Sequence, residues 1–287
     1  MPPAARERWT VDEEESMPEP RSAPVTVPKV RATKVREGHA PLVMVTAYDA
    51  PGGRIADAAG VDMILVGDSV GNVVLGYEDT LQVTIDDMVH HVAAVARSRP
   101  GALVVGDLPW MSYHVDAADT VRNAARLVRA GAQCVKLEGG AVRVPMVEAL
   151  VHAEIPVMGH IGLTPQSLLA FGGFKVQARD DEAAQMLLEG ARALVDAGIF
   201  AVVVEGVPEK VGAAVTEALE VPTIGIGAGP HCDGQVLVMH DLLGISDRTP
   251  KFVRRYADLA EAATAAIAAY ADDVRSGAFP SDVEVYH

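Results

Sequence analysis

With 287 residues, 49% of them hydrophobic, the chain can bury a large core, and a single α/β barrel commonly fills this length. A formal net charge of −15 and a pI near 4.9 argue against nucleic acid or an anionic membrane as partner, since both need a basic surface, and favour divalent cations instead. The only cysteines, Cys134 and Cys232, lack CxxC or zinc-site spacing, no apolar stretch is long enough to cross a bilayer, and no signal segment opens the sequence, so we expect a cytoplasmic protein without disulfides.

Met1 to about Thr26 is rich in proline, carries the acidic run Asp12 to Glu15 and has almost nothing apolar to bury. It predicts a disordered tail over 1–26 ahead of one catalytic domain over 27–287. Lys29 to Glu37 predicts a short basic helix lying under the bottom of a barrel. Val43 to Ala47 reads as the first strand, and the run ending at Asp68 as the second. A loop from Ser69 to Val83 follows, and Thr84 with Asp87 resembles a helix N-cap pair. His90 and His91 fall inside that helix and are read as structural. Leu103 to Asp107 is the third strand, and Asp116 caps a helix that Gly131 ends.

Three times an Ala-Gly pair precedes an apolar run that stops on an acid. Gly60 leads to Asp68, Gly131 to Glu138, and Gly198 to Glu205. Each glycine suits the left-handed residue that closes a helix, so one helix-strand unit is being repeated. Ile155 to His160 and Val221 to Gly227 share an Ile/Val-Pro opening and supply strands five and seven, with Ala201 to Glu205 as strand six between them. Gly162 to Arg179 is expected to be a mobile cover over an active site. Pro208 suits the first turn of the next helix. Gln235 to Met239 is the candidate eighth strand, and Ala257 to Ala271 the closing helix.

Eight strands alternating with helices fit a closed (β/α)8 TIM barrel or an open doubly wound sheet. Asp68, Asp107, Glu138, His160 and Glu205 end five separate strands. In a barrel they converge on one mouth, whereas an open sheet would spread them along an edge, so the barrel is preferred. Each acid taken alone fits a helix cap, but five convergent polar ends, with Lys136 and Glu138 on the same side of one strand, point to a site. Several carboxylates without thiolates make an oxygen-rich site suited to Mg2+. Gly225-Ile226-Gly227-Ala228-Gly229 is a weak signal for dinucleotide binding, because no helix pattern opens from it; its glycines suit a tight turn or close backbone approach.

From about Lys29 to Ile245 the sequence resembles the ketopantoate hydroxymethyltransferase family. The resemblance rests on TAYD at Thr46 to Asp49, GDSVG at Gly67 to Gly71, DLPW at Asp107 to Trp110, VKLEGG at Val135 to Gly140, GHIGLTPQS at Gly159 to Ser167, GGFKVQAR at Gly172 to Arg179, and GIGAG followed by DGQVLVMHD. Trp110 stands where that family commonly has Phe, and Ala178 where it commonly has Gly. The resemblance implies a barrel of the phosphoenolpyruvate/pyruvate-like superfamily that transfers a hydroxymethyl unit from 5,10-methylenetetrahydrofolate to 3-methyl-2-oxobutanoate. It further implies Mg2+ held by Asp68 and Asp107, with Glu138 acting through water. Glu205 is the implied base, Ser69 binds the substrate carboxylate, and Lys136 and His160 bind substrate or product oxygens, alongside Asp68 and Asp107. The implied assembly is a homodecamer.

Two other readings remain open on the residues. A related Mg2+-dependent barrel would cleave or isomerise 2-oxo acids, but such lyases usually carry a Lys-x-Cys-type motif, and none is found. A non-catalytic scaffold or metabolite sensor would have no reason to keep buried carboxylates.

Overall fold

The computed structural model describes residues 23–286. The strands are β1 (Leu42–Thr46), β2 (Met63–Val66), β3 (Leu103–Asp107), β4 (Cys134–Glu138), β5 (Val157–Gly162), β6 (Ala201–Glu205), β7 (Thr223–Ile226) and β8 (Gly234–Leu237). All pair in parallel and in chain order, and β8 pairs back onto β1 to close the barrel. The helices are α1 (Val27–Arg31), α2 (Ala50–Ala58), α3 (Val70–Val73), α4 (Ile85–Ala96), α5 (Ala117–Ala130), α6 (Val144–His152), α7 (Leu168–Phe171), α8 (Asp181–Asp196), α9 (Glu209–Ala218), α10 (Met239–Leu242) and α11 (Leu259–Ser276).

The two-residue period of the strands divides the core into two layers. Met63, Leu65, Leu103, Val105, Cys134, Met158, Val203 and Ile224 fill the barrel interior. Their neighbours Ile64, Val104, Val135, Leu137, Val157, Val202 and Val204 face outward onto the helices. The inward register therefore also carries Asp107, Lys136, Glu138, His160 and Glu205 to the interior, and pairs Asp107 with Lys136, Glu138 with His160 and Gly162 with Glu205 across adjacent strands.

The repeat read from the Ala-Gly pairs is present: Gly60, Gly131 and Gly198 all follow helices with positive φ of 79°, 116° and 104°. Asp49, Asp116 and Asp180 cap α2, α5 and α8 through their carboxylates, and Thr84 with Asp87 forms a full capping box on α4. His91 Nδ1 donates a 2.7 Å bond to the Tyr48 carbonyl, a structural contact between α4 and the end of β1.

Several boundaries differ from the sequence reading. Of the expected tail, residues 1–22, Trp9 among them, lie outside the described residues. Val25 and Thr26 belong to the barrel instead: Val25 is buried in the interior floor and its N–H donates to Gly101, while Thr26 caps α1. A valine in a proline-rich stretch is invisible to a composition argument, because its burial comes from the floor it meets. The basic segment 29–37 is split into α1 and a 3-10 turn at Val35–Glu37. Between them Lys34 turns inward to the floor. The loop after β2 contains α3, and α11 begins later and runs longer than 257–271. Met239, expected at the end of the eighth strand, begins α10.

Candidate active site

Asp68, Asp107, Glu138, His160 and Glu205, with Ser69 and Lys136, line one cavity of about 100 Å3 at the C-terminal end of the barrel. The helix-capping alternative fails at these positions. Asp68 and Glu205 do not cap the helices that follow them, since α3 and α9 have no side-chain cap bond and their N-caps are Ser69 and Pro208.

The residues form a connected charge network. Lys136 Nζ lies 2.9 Å from Asp107 Oδ1, 3.4 Å from Glu138 Oε1 and 3.2 Å from His160 Nδ1. His160 stands between two glutamates, with Nδ1 3.2 Å from Glu138 Oε1 and Nε2 3.1 Å from Glu205 Oε2, the latter an ion-pair distance without a well-directed hydrogen bond. Glu205 is the member nearest solvent, its side chain 15% exposed where His160 is 3%. The backbone of Glu205 is fixed by a bond from Leu163 N, and this close junction requires Gly162, whose φ is 93° and where a Cβ would stand 2.2 Å from the Glu205 carbonyl oxygen.

Burial alone would push the Lys136 ammonium down, but Asp107, Glu138 and Asp68 outweigh it and hold the lysine charged, above its ordinary value. For Glu138 burial is likewise outweighed, here by Lys136 and His160, which hold its carboxyl down at about 2. His160 is lowered by burial and by Lys136, yet Glu138 and Glu205 bring it up to about 9, so the imidazole is cationic at neutral pH. Asp68 behaves in the opposite way: burial, then Asp107 and Glu138, push it well above the usual carboxylate range. Burial also raises Asp107 in spite of Lys136. These two aspartates are short of positive charge.

That shortage tests the fit of a metal. Asp107 Oδ1 is buried and, apart from its ion pair with Lys136, accepts no well-directed hydrogen bond. Among the described residues no three His, Cys, Asp or Glu side chains are arranged to hold a metal by themselves. Mg2+ does not need such a cage, because it commonly keeps its waters and takes one or two carboxylates plus substrate oxygens. Asp68 and Asp107 fit that donor set. Glu138 does not fit a direct role, because Oε1 faces Lys136 and His160 while Oε2 accepts from Gln166 N at 3.0 Å.

The sequence reading missed residues that hold the site together. Gln166 Nε2 donates to Asp68 Oδ2 at 2.9 Å and to the Leu108 carbonyl at 3.0 Å. Tyr113 donates to Gln166 Oε1 at 2.6 Å and accepts from Glu138 N at 3.2 Å. Tyr48 and Ser69 share a 2.9 Å hydroxyl bond. Gln166 lies inside the GHIGLTPQS motif, which was its only signal, and Tyr113 had none. The segment after Gly162 is thus partly wall: its first residues carry Gln166 into the mouth, and Gln177 N bonds the Gly206 carbonyl at its far end.

A sequence model of ketopantoate hydroxymethyltransferase matches residues 24–282. The chain belongs to the ketopantoate hydroxymethyltransferase family. It is 57% identical over 258 residues to the 3-methyl-2-oxobutanoate hydroxymethyltransferase of Moorella thermoacetica, covering 89% of this chain and 95% of that protein. The enzyme of the same name from Pyrobaculum arsenaticum is 56% identical over 253 residues, covering 88% and 96%. Among solved structures, the barrel is similar to 2,3-dimethylmalate lyase, a PEP mutase/isocitrate lyase superfamily member, with a TM-score of 0.58, 19% identity and 91% of each chain covered. A phosphonopyruvate hydrolase gives a TM-score of 0.59 at 13% identity, covering 88% of each chain. At such identities these neighbours speak for the fold of this hydroxymethyltransferase-family chain and for nothing finer.

Proposed function

We propose that this chain is a 3-methyl-2-oxobutanoate hydroxymethyltransferase, taking its one-carbon unit from 5,10-methylenetetrahydrofolate and giving ketopantoate, the first step of pantothenate synthesis. The observation that carries the proposal is the line Glu138–His160–Glu205 running from the buried lysine to the rim of the cavity. It leaves one carboxylate, Glu205, at the edge where a C3–H can be presented, and holds it against a cationic imidazole. Glu205 takes the C3 proton; water breaks both C–N bonds of the folate's one-carbon unit, freeing it at the formaldehyde level while tetrahydrofolate leaves with that water's two protons. The enolate carbon adds to the freed carbonyl carbon, and its oxygen takes the proton back from Glu205 to become the product's hydroxyl.

Lys136, fixed by Asp107 and Glu138, presents an ammonium to the substrate's oxygens from the floor of the cavity. Ser69, oriented by Tyr48, is the donor for the carboxylate. His160 serves chiefly as a positioning group for Glu205, since both its nitrogens already face glutamates. Asp68 and Asp107 would hold Mg2+, with Glu138 outside them through water. When bound, that ion would supply Lewis-acid stabilisation of the enolate's negative charge.

A 2-oxo acid lyase is less well supported. Cys134 and Cys232 do not line the mouth, both are buried, and burial raises both thiols above their ordinary value.

A homo-oligomer, the decamer of the family, is supported by α11. None of its residues is buried, while Ile267, Tyr270 and Val274 are exposed along it and Val43 on β1 is left half-exposed. An 18-residue helix that is tied to the rest of the chain through Leu259 and Ala260 in its first turn, and that buries none of its apolar residues, calls for a second surface. Cytoplasmic placement agrees with the free cysteines, and no described helix is long and apolar enough to cross a membrane.

The test is a turnover assay with 3-methyl-2-oxobutanoate, 5,10-methylenetetrahydrofolate and Mg2+. The expected result is ketopantoate formation that stops when either folate or metal is withheld. Cleavage of a 2-oxo acid without folate would replace this reading with the lyase one.

A further inference from the structure

The cavity that holds the catalytic groups opens into a much larger one. Ser69, Glu205, Ile226 and Val238 line both, and the outer cavity has a volume of about 970 Å3 against about 100 Å3 for the inner. The outer volume lies near the top of the range of roughly 300–1,000 Å3 that holds drug-sized ligands. The inner one is too small for a second reactant bulkier than the oxo acid. A donor that delivers carbon over Glu205 therefore has to occupy the outer cavity.

Its lining contains a charge that the fold does not use. Asp241, in α10 just beyond β8, is only 8% exposed and faces this cavity. Among the described residues no hydrogen bond or ion pair reaches its carboxylate, and no side-chain bond caps α10. The residue is packed into the wall while its unpaired carboxylate opens on the cavity, free to accept donors from a bound molecule. Beside it the buried His240 Nδ1 is also without a partner.

We propose that the outer cavity is the folate site, and that Asp241 accepts the paired N–H donors of the reduced pterin while Arg248 meets the glutamyl carboxylate. The proposal rests on the function given above and extends it to residues of the second substrate. The 2-amino-4-oxo edge of a pterin presents N3–H and an exocyclic N–H side by side, the same two-donor fork that makes guanidinium-carboxylate pairs strong. Arg248 lines the same cavity, is exposed, and has no ion pair among the described residues. Phe252 supplies an aromatic wall. Its ring comes so near Gly227 that a Cβ there would stand 2.7 Å from it, so the GIGAG glycines give room to a ring in the cavity wall.

Titration calorimetry with tetrahydrofolate, on the full chain, tests this without turnover. Asp241→Asn is expected to weaken tetrahydrofolate at least ten-fold and to lower the ratio of folate-dependent transfer to folate-independent C3 exchange by a similar factor. A 2-desamino analogue is expected to bind the wild-type protein at least ten-fold more weakly than tetrahydrofolate, with no further loss on Asp241→Asn. This arm stands even where the variant folds poorly. Arg248→Gln is expected to weaken tetrahydrofolate several-fold but tetrahydropterin, which lacks the glutamate, not at all. Wild-type affinity in Asp241→Asn, or equal binding of the desamino analogue, overturns the proposal. If wild-type protein exchanges the C3 hydrogen but binds no tetrahydrofolate, the folate site fails and the enolisation reading survives. If it does neither, both fail.

Discussion

Two lysines are buried in the barrel, one at each end, and both are about 2% exposed. Lys34, at the floor, has its ammonium matched: Nζ donates to Asp233 Oδ2 at 2.5 Å and to the carbonyls of Thr216 and Val221 at 3.1 and 3.2 Å. Asp233 is equally complete, accepting from Val35 N, Thr223 N and Thr223 Oγ1 as well. Lys136, at the mouth, faces Asp107 and Glu138 directly, with Asp68 close enough to raise its proton affinity. One end pairs a cation with a carboxylate and uses every remaining donor. The other sets one lysine and one histidine against Asp68, Asp107, Glu138 and Glu205, and leaves the two aspartates short of positive charge. Buried charge with a closed set of partners serves the fold, and buried charge with an open set serves a ligand.

The largest effect is expected at the mouth. Asp68→Asn keeps an oxygen for the Gln166 donor but removes the charge, so kcat/KM is expected to fall by about 10²–10³-fold, the range for losing a transition-state electrostatic group. Stability should move the other way. Asp68 has a folded pKa above its unfolded value, so its ionisation subtracts from stability as pH rises past the ordinary carboxylate range. The metal-free variant is thus expected to melt a few degrees above wild type at neutral pH. A lower melting temperature with intact turnover would place Asp68 with the structural charges.

Lys34→Met is the mirror case. It strands the Asp233 carboxylate among buried groups, and breaking such a pair costs roughly 3–5 kcal/mol. The melting temperature should fall on the order of 10 °C, while turnover per folded molecule holds. Lys34→Met combined with Asp233→Leu should regain part of the loss.

The smallest expected effect concerns Ala178, which takes a positive φ of 52° at a buried position in the segment after Gly162. An L-residue there bears roughly 1–2 kcal/mol of strain, offset in part by the extra unfolded-state freedom that Gly would bring. Ala178→Gly should therefore change the melting temperature by about 2 °C or less, in either direction. A drop of 10 °C would show that the alanine methyl is a packing contact of consequence.

Much of this was legible in the sequence because it follows from periods. The Ala-Gly-strand-acid repeat located the barrel units, and the two-residue alternation put Lys136 and Glu138 on one side, where they are 3.4 Å apart. The end-of-strand acids converge as a barrel requires. What the sequence could not show depends on distance between segments. Gln166 reaches Asp68 from 98 residues away, and Lys34 reaches Asp233 from 199. Lys34 looked like one more charge in a basic helix, because nothing local to it marks a residue whose partners lie at the other end of the chain. His160 was expected to meet substrate oxygens, and only the fold shows it between two glutamates. Val25 was lost to the tail for the same reason: its N–H partner, Gly101, is far along the chain.

In the proposed reaction Glu205, beside His160, removes the C3 proton before folate takes part. Proton NMR of 3-methyl-2-oxobutanoate in deuterated water, with protein and Mg2+ but no folate, measures that step alone. Loss of the C3 proton signal is expected with wild-type protein. With Glu205→Gln, which nearly keeps the shape but removes the base, the signal is expected to persist although substrate still binds. Exchange by Glu205→Gln at the wild-type rate would exclude Glu205 as the base.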